Sequence, residues 1–373
     1  MSWLDKIRTY LIYTVAVMLI VVAVAFSVLR AVLPHATGYV SDVEQALAEQ
    51  IGLPVSIASM DADMYWLVPR LKLLDVVIYS KDKQYELLRL DEAFFALAFV
   101  DSLLQFSPAV GEVSLVGADL SIERYAEKRW RIQGIELGGD DASSEADDSL
   151  NEFIAAIKST SLSLLESNIH WNDFRLSNGS LDFVGVNIFI EEFLGSHSID
   201  MSFQLPEDYG KSLRLVLKTD DDIFHPAEAD FDIYLQADSI NIAQWFAAVD
   251  LKNFPSIEGI FSGELWLARN DNAFSQVVMN ASAKKLNVVT TKQSGFTLDS
   301  ATAKFEWENT DEGWYFNSRD INLTRNSKVW AESSSISVVQ DEDGFSLAAN
   351  YVRSEDVIKV ANVLLDDDQL KII

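Results

Sequence analysis

The chain has 373 residues and a net charge of −28, from 57 acidic against 29 basic side chains. No basic surface is therefore available to displace counterions from nucleic-acid phosphates, and adhesion of the body to an anionic membrane surface is disfavoured. Absence of cysteine excludes disulfide frameworks, thiolate catalysis and Cys-ligated zinc, whereas 49% apolar and 11% aromatic residues are ample for one very large or two ordinary domains.

Leu11 to Leu29 is an unbroken uncharged apolar run. At about 1.5 Å per residue it covers close to the ~30 Å hydrocarbon core of a bilayer and reads as a transmembrane helix. Lys6 and Arg8 precede it and Arg30 follows, which keeps the N-terminus cytoplasmic and sends the C-terminal bulk across the membrane. A cleavable signal peptide is the competing reading, because Ala23-Val24-Ala25 resembles an A-x-A cleavage site. Against it, the apolar run continues through Phe26, Val28 and Leu29 and resumes at Ala31-Val32-Leu33, whereas secretory apolar regions stop before their cleavage site.

Tyr39 to Gln50 predicts a short amphipathic helix, with Val40, Val43, Ala46 and Leu47 at helical spacing, Ser41 as N-cap and Gly52 just past the end. Pro54 opens an extended segment, and Leu71 to Tyr79 reads as a strand. Glu92 to Phe106 is apolar enough to predict a helix packed on a sheet. From Ala109 onwards, short alternating runs are punctuated by Gly, Asn, Asp or Ser. They include Glu112–Leu115, Leu120–Ile122, Leu181–Phe183, Val186–Ile190, Ile199–Leu205, Leu213–Leu217, Phe231–Leu235, Gly263–Leu267, Val277–Ala283, Ala303–Trp307, Trp314–Asn317 and Ile336–Val339. Period-two alternation of this kind marks antiparallel sheet with one apolar and one wet face. Ile240–Val249 and Glu355–Leu365 read as helical inserts. Gly138 to Asn151 is a low-complexity acidic stretch without the D-x-D-x-D-G spacing of a calcium loop, and reads as a solvated linker.

No motif for chemistry emerges. His35, His170, His197 and His225 are scattered, and no G-x-S-x-G, Walker loop or G-x-G-x-x-G is present. The acidic residues are too numerous for any carboxylate pair to be specific, so the reading is of a non-enzyme with no cofactor and no metal. What remains is physical: many apolar strand faces must be covered by a packed core or occupied as a trough, and acyl chains suit a trough at about 0.8 kcal/mol per buried CH₂.

Arg30-Ala31-Val32-Leu33-Pro34-His35, Ile51-Gly52-Leu53-Pro54-Val55, Trp66 and Pro69-Arg70-Leu71-Lys72-Leu73-Leu74-Asp75-Val76-Val77-Ile78 occur in that order. This arrangement resembles the N-terminus of AsmA-like proteins: a membrane helix, a TG-x-P-V step, an aromatic residue, and P-x-L-x-L-x-x-V-x-I entering a long sheet. Ile51 stands where Thr is usual. Leu33-Pro34-His35, and Leu235-Gln236-Ala237-Asp238-Ser239-Ile240 running into Trp245, are most similar to the YhdP-type subfamily. The likeness covers the first ~80 residues by motif and the remainder by texture.

The resemblance implies a mainly β fold with a few helices: an N-terminal transmembrane helix followed by a long, curled antiparallel sheet forming an open apolar groove. It also implies a bridge-like lipid-transfer protein of the Gram-negative envelope, anchored in the inner membrane with its bulk in the periplasm. Phospholipids are the expected cargo, with the inner membrane, other envelope proteins or a missing C-terminal region as partners and no nucleic acid. The groove wall is expected at Val113, Leu115, Leu120, Ile122, Leu181, Phe183, Ile188, Ile190, Met201, Phe203, Leu213, Leu215, Phe231, Ile233, Leu265 and Leu267. The expected segments are a cytoplasmic tail (1–10), membrane helix (11–33), membrane-proximal α+β start (34–106), strands (107–138), acidic linker (139–150) and groove (151–373). Members of the subfamily are longer than this chain, so an N-terminal fragment with an open last strand is expected. The alternative is a periplasmic scaffold for outer-membrane biogenesis with a closed β core.

Overall fold

The structure, a computed structural model, describes residues 10–17, single positions between 20 and 30, 37–65, 68–98, 102, 110–126, 129–133, 135–137, 161–175, 179–193, 195–221, 229–248, 256–271, 273–289, 295–310, 312–329, 333–341 and 344–351. Residues 10–17 are helical, and Leu11, Ile12, Val15 and Val17 are all exposed. Among the described residues no helix is long and apolar enough to cross a membrane. The acidic linker and the Glu355–Leu365 insert lie outside the described residues. The chain divides into two compact units, 1–119 with 159–163, and 120–158 with 164–373.

In the first unit the helix Val40–Ile51 leads into four antiparallel strands: β1 (Val55–Tyr65), β2 (Val68–Tyr79), β3 (Glu86–Leu97) and β4 (Val110–Val116). The helix begins one residue before the expected cap. Tyr39 occupies the N-cap position without a side-chain hydrogen bond, and Gly52, left-handed at φ 74°, closes the end by donating its N–H to Ala48 O. Glu44 Oε1 accepts from Ile57 N at 2.7 Å, tying the helix to β1. The helix expected from Glu92 is not formed over Glu92–Leu97, which is the second half of β3. There Ala93 pairs with Leu73 and Phe95 with Leu71. An apolar run with no polar face carries no period, and the neighbouring strand decides its conformation.

Met60, Leu73 and Ala93 stand in one cross-strand row and are 4%, 0% and 2% exposed. Ile57, Val76 and Leu90 form a second buried row beside it. This is a closed core.

The second unit holds β5 (Asp119–Ala126), β6 (Arg129–Ile132) and β7 (Ile135–Leu137), then β8 (Ser161–Asp173) and β9 (Ser180–Phe193). It continues through β10 (Ser196–Gln204), β11 (Ser212–Thr219), β12 (Phe231–Asn241), the helix Ile242–Ala248, β13 (Ser256–Asn270), β14 (Ala273–Val289), β15 (Gly295–Thr310) and β16 (Gly313–Arg325). The last strands are β17 (Lys328–Val329), β18 (Ser334–Asp341) and β19 (Gly344–Ala349). From β9 to β16 each strand pairs antiparallel with the next; β18 then pairs with β16, and β19 with β18. The fold is thus mainly β with few helices, and the sheet of this unit is an open meander. The helix is fixed by Trp245, whose Nε1 donates to Tyr209 O at 3.0 Å and whose ring meets Tyr209 edge-on.

Several strands carry a one-residue slip in their apolar alternation, and a left-handed residue stands at it. In β9 the apolar positions run Leu181, Phe183, then Val186, Ile188, with Gly185 at φ 59° between the two phases. In β14 they run Val277, Met279, Ala281, Ala283, then Leu286, Val288, with Lys285 at φ 52°. Ser239 (φ 55°) in β12, Asp320 (φ 54°) in β16 and Asp75 (φ 49°) in β2 serve alike. Each inserts the extra residue of a β-bulge, which keeps the apolar set on one face and bends the strand.

Two expectations follow. Leu73→Ala should cost about 2–5 kcal/mol, seen as faster hydrogen exchange of β2 and β3 amides; unchanged exchange there contradicts the closed core. Lys285 is exposed and bears the left-handed penalty of an L-residue, so Lys285→Gly should raise stability to denaturant by about 1 kcal/mol.

Candidate functional site

Residues paired across an antiparallel sheet share a face, so the strand registers assign each face of the second unit. One row joins Ile190, Ile199, Leu217, Ile233, Leu267, Val277, Trp307, Phe316, Val338 and Leu347, from β9 through β16 and β18 to β19. Every member is apolar. With nine interstrand steps of about 4.8 Å the row extends roughly 43 Å. Beside it run Ile188, Met201, Leu215, Leu235, Leu265, Met279 and Phe305. A third row, Phe203, Leu213, Ala237, Gly263, Ala281 and Ala303, is narrow in its centre. Gly263 admits no larger residue, since a Cβ there would lie 2.5 Å from Asn280 O.

The side chains of these rows are half-buried from β9 to β18, and Leu347 on β19 is 65% exposed. Neighbouring strands shade them, but none approaches the burial of Leu73. Phe261, Ala283, Ala301, Phe305, Ile321 and Leu323 line a depression of about 190 Å³ on the same face. Ser318 interrupts it, 2% exposed, its hydroxyl without a partner among the described residues.

All the positions expected from the sequence to form the groove wall are half-buried. Phe183, Ile188, Ile190, Met201, Phe203, Leu213, Leu215, Ile233, Leu265 and Leu267 come together on this face. Phe183 is placed there by its edge-on contact with Phe203 at 4.9 Å. Phe231 and Leu181 keep its parity on β12 and β9. Val113 and Leu115 stand on β4. They lie in the first unit, paired with Phe95 and Ala93. Ile122 pairs with Ile132 on β6, apart from the long rows, and Leu120 is on the same strand. The sequence reading did not name Ile199, Leu217, Leu235, Val277, Met279, Phe305, Trp307, Phe316, Val338 and Leu347, which complete the first two rows. Their alternation was visible, but the face each run joined was not.

The opposite face is polar along its central row and largely apolar or aromatic in the row beside it, where Phe189, Val216, Tyr234, Trp266 and Val278 line up with Asp200. Asn187, Ser202, Arg214, Gln236, Glu264, Asn280 and Lys304 form its central row. Its charges are matched locally: Arg214 grips Asp200 through two contacts of 2.7 and 3.1 Å, Lys304 meets Asp320 at 2.9 Å, and Lys211 meets Asp238 at 2.8 Å. These partners hold the Asp238 and Asp320 carboxyls below the usual carboxylate range, chiefly by hydrogen bonding to the lysines. A recess of about 840 Å³ lies along this row between β9 and β16, beside the line of bulges. His170, the histidine singled out for possible chemistry, has Nδ1 2.6 Å from Asp182 Oδ1 on the exposed β8–β9 hairpin; His225 lies outside the described residues.

A family model described as YhdP protein matches residues 1–371. No curated protein and no solved structure matches the chain.

Tyr315 on the polar face donates to Glu308 at 2.6 Å, and this hydrogen bond, with burial and the nearby Glu306 charge, pushes its phenol up to about 12. The stabilisation is fully present below the unfolded phenol's pKa of 10.0 and is lost as pH rises through about 12. Ultraviolet titration should therefore show one late phenol that Glu308→Gln returns toward its ordinary value. A curve unchanged by that substitution would mean the contact does not form.

Proposed function

The chain belongs to the YhdP family, and from that premise we propose that it is a membrane-anchored conduit for phospholipid. In this reading Leu11–Leu29 anchors it in the inner membrane, the N-terminus is cytoplasmic and the body is periplasmic. Acyl chains lie along the apolar face of the second unit while head groups remain in water, and lipid passes toward the outer membrane without any catalytic residue.

The observation that carries the proposal is the unbroken apolar row from Ile190 to Leu347, half-buried as far as Val338 and never closed as the first unit's core is closed. At roughly 43 Å it exceeds the ~30 Å hydrocarbon thickness of a whole bilayer, so it has the length to hold a chain and pass it on. Each methylene moved from water onto such a face contributes about 0.8 kcal/mol. Because the row is uniform, that gain changes little from strand to strand, and a bound chain meets no deep trap along it. The scaffold reading draws on the first unit, where Met60, Leu73 and Ala93 show that this chain also builds a conventional packed core.

Native mass spectrometry of the purified chain, followed by lipid extraction, separates the two. About one or more phospholipids per chain supports the conduit; a lipid-free stable protein favours the scaffold. In a vesicle transfer assay, Phe203→Asp and Leu215→Asp should each slow transfer about tenfold or more, because a carboxylate cannot be desolvated against an acyl chain. Undiminished transfer by both variants would remove the apolar face from the mechanism.

A further inference from the structure

The recess lies chiefly among polar side chains, and its chemistry is specific enough to name a ligand class. We propose that it binds a neutral oligosaccharide. The basic side chains at its wall are already engaged: Arg214 by Asp200 and Lys304 by Asp320. Carboxylates, Glu264 among them, share the wall. An anion would meet cations already neutralised and the Glu264 carboxylate, which hydrogen-bonds to Asn280 and Tyr234 rather than to a cation. An extended peptide joins a sheet through a free edge, yet the strands under the recess are paired on both sides.

What the recess offers is hydroxyls and amides with capacity to spare. The Gln236 amide and the Ser282 and Thr302 hydroxyls line it and form no hydrogen bond among the described residues. Asn280 and Tyr234 both donate to Glu264, at 3.2 and 3.1 Å, fixing that carboxylate as an oriented acceptor. A second recess of about 660 Å³ shares Arg214 with the first and contains an aromatic pair, Tyr234 and Trp266, with ring centroids 5.3 Å apart. Trp266 is 39% exposed. Hydroxyl-rich rings satisfy both features, since their edges take up donors and acceptors while their C–H faces lie on an indole, an amphipathic surface suited to a half-wet ligand.

The experiment uses the full chain in lipid nanodiscs, with cellohexaose and chitohexaose as neutral probes and an oligogalacturonate of equal length as the anionic one. Saturation-transfer NMR and calorimetry should detect at least one neutral probe, with the anionic probe weaker. Trp266→Ala and Gln236→Ala should each weaken binding about tenfold, whereas Phe345→Ala on the exposed β19 should leave it unchanged. Failure of both neutral probes to bind, tighter binding of the anionic probe, or full affinity in the Trp266 and Gln236 variants would each overturn the proposal. Native mass spectrometry of the detergent-purified chain, made before nanodisc assembly, reports separately on the conduit.

Discussion

The second unit depends on one constraint: every apolar residue must arrive on the same face across a long series of strands. A sheet alternates strictly, so a single slip in the sequence would send all later residues of that strand to the wrong side. This chain slips repeatedly. It recovers each time by giving the extra position a left-handed or bulged backbone, at Gly185, Ser239, Lys285 and Asp320. Such a conformation costs an L-residue roughly 1–2 kcal/mol. The strand accepts it because the alternative is worse. Without Lys285, Leu286 and Val288 would turn toward the polar face and leave Phe296 and Leu298, their partners on β15, unmatched.

The same device has different results in the two units. In the first, Asp75 in β2 lets Leu73 and Val76 both reach the buried side, and the helix Val40–Ile51 is joined to the sheet through Glu44. In the second, the rows are equally apolar but remain half-buried. The difference therefore does not lie in hydrophobicity. It lies in how much of each face is closed off, which a count of apolar residues along a strand cannot reveal.

This explains what was legible beforehand. Mainly antiparallel sheet, the short helix after residue 39 and the apolar parity of each run follow from period and punctuation. The family likeness was readable from Pro54-Val55, Trp66 and the Pro69–Ile78 stretch. Strand length was not readable, because alternation breaks at a bulge. Leu181–Phe183 and Val186–Ile190 look like two strands, yet they are one, Ser180–Phe193, turning phase at Gly185. Val277–Ala283 likewise looks complete, although β14 runs on to Val289. Glu92–Leu97 had no period to read. Val113 and Leu115 carry the pattern of the long rows, and only the register shows that their partners are Phe95 and Ala93 in the first unit.

Charge then completes the logic of the two faces. An open sheet with one apolar face risks stacking on itself, and alternation alone does not prevent the other face from joining in. Pairing Arg214 with Asp200, Lys304 with Asp320 and Lys211 with Asp238 keeps the second face hydrated while creating little local field. The excess that makes the chain −28 is carried in large part by carboxylates outside those pairs. It repels other copies at long range, screened beyond about 10 Å at moderate salt. The polar face therefore has Arg214, Lys304 and Lys211 paired within a molecule that is globally acidic. That combination leaves the hydroxyls and amides along the bulge line, Gln236, Ser282 and Thr302, as its principal recognition chemistry.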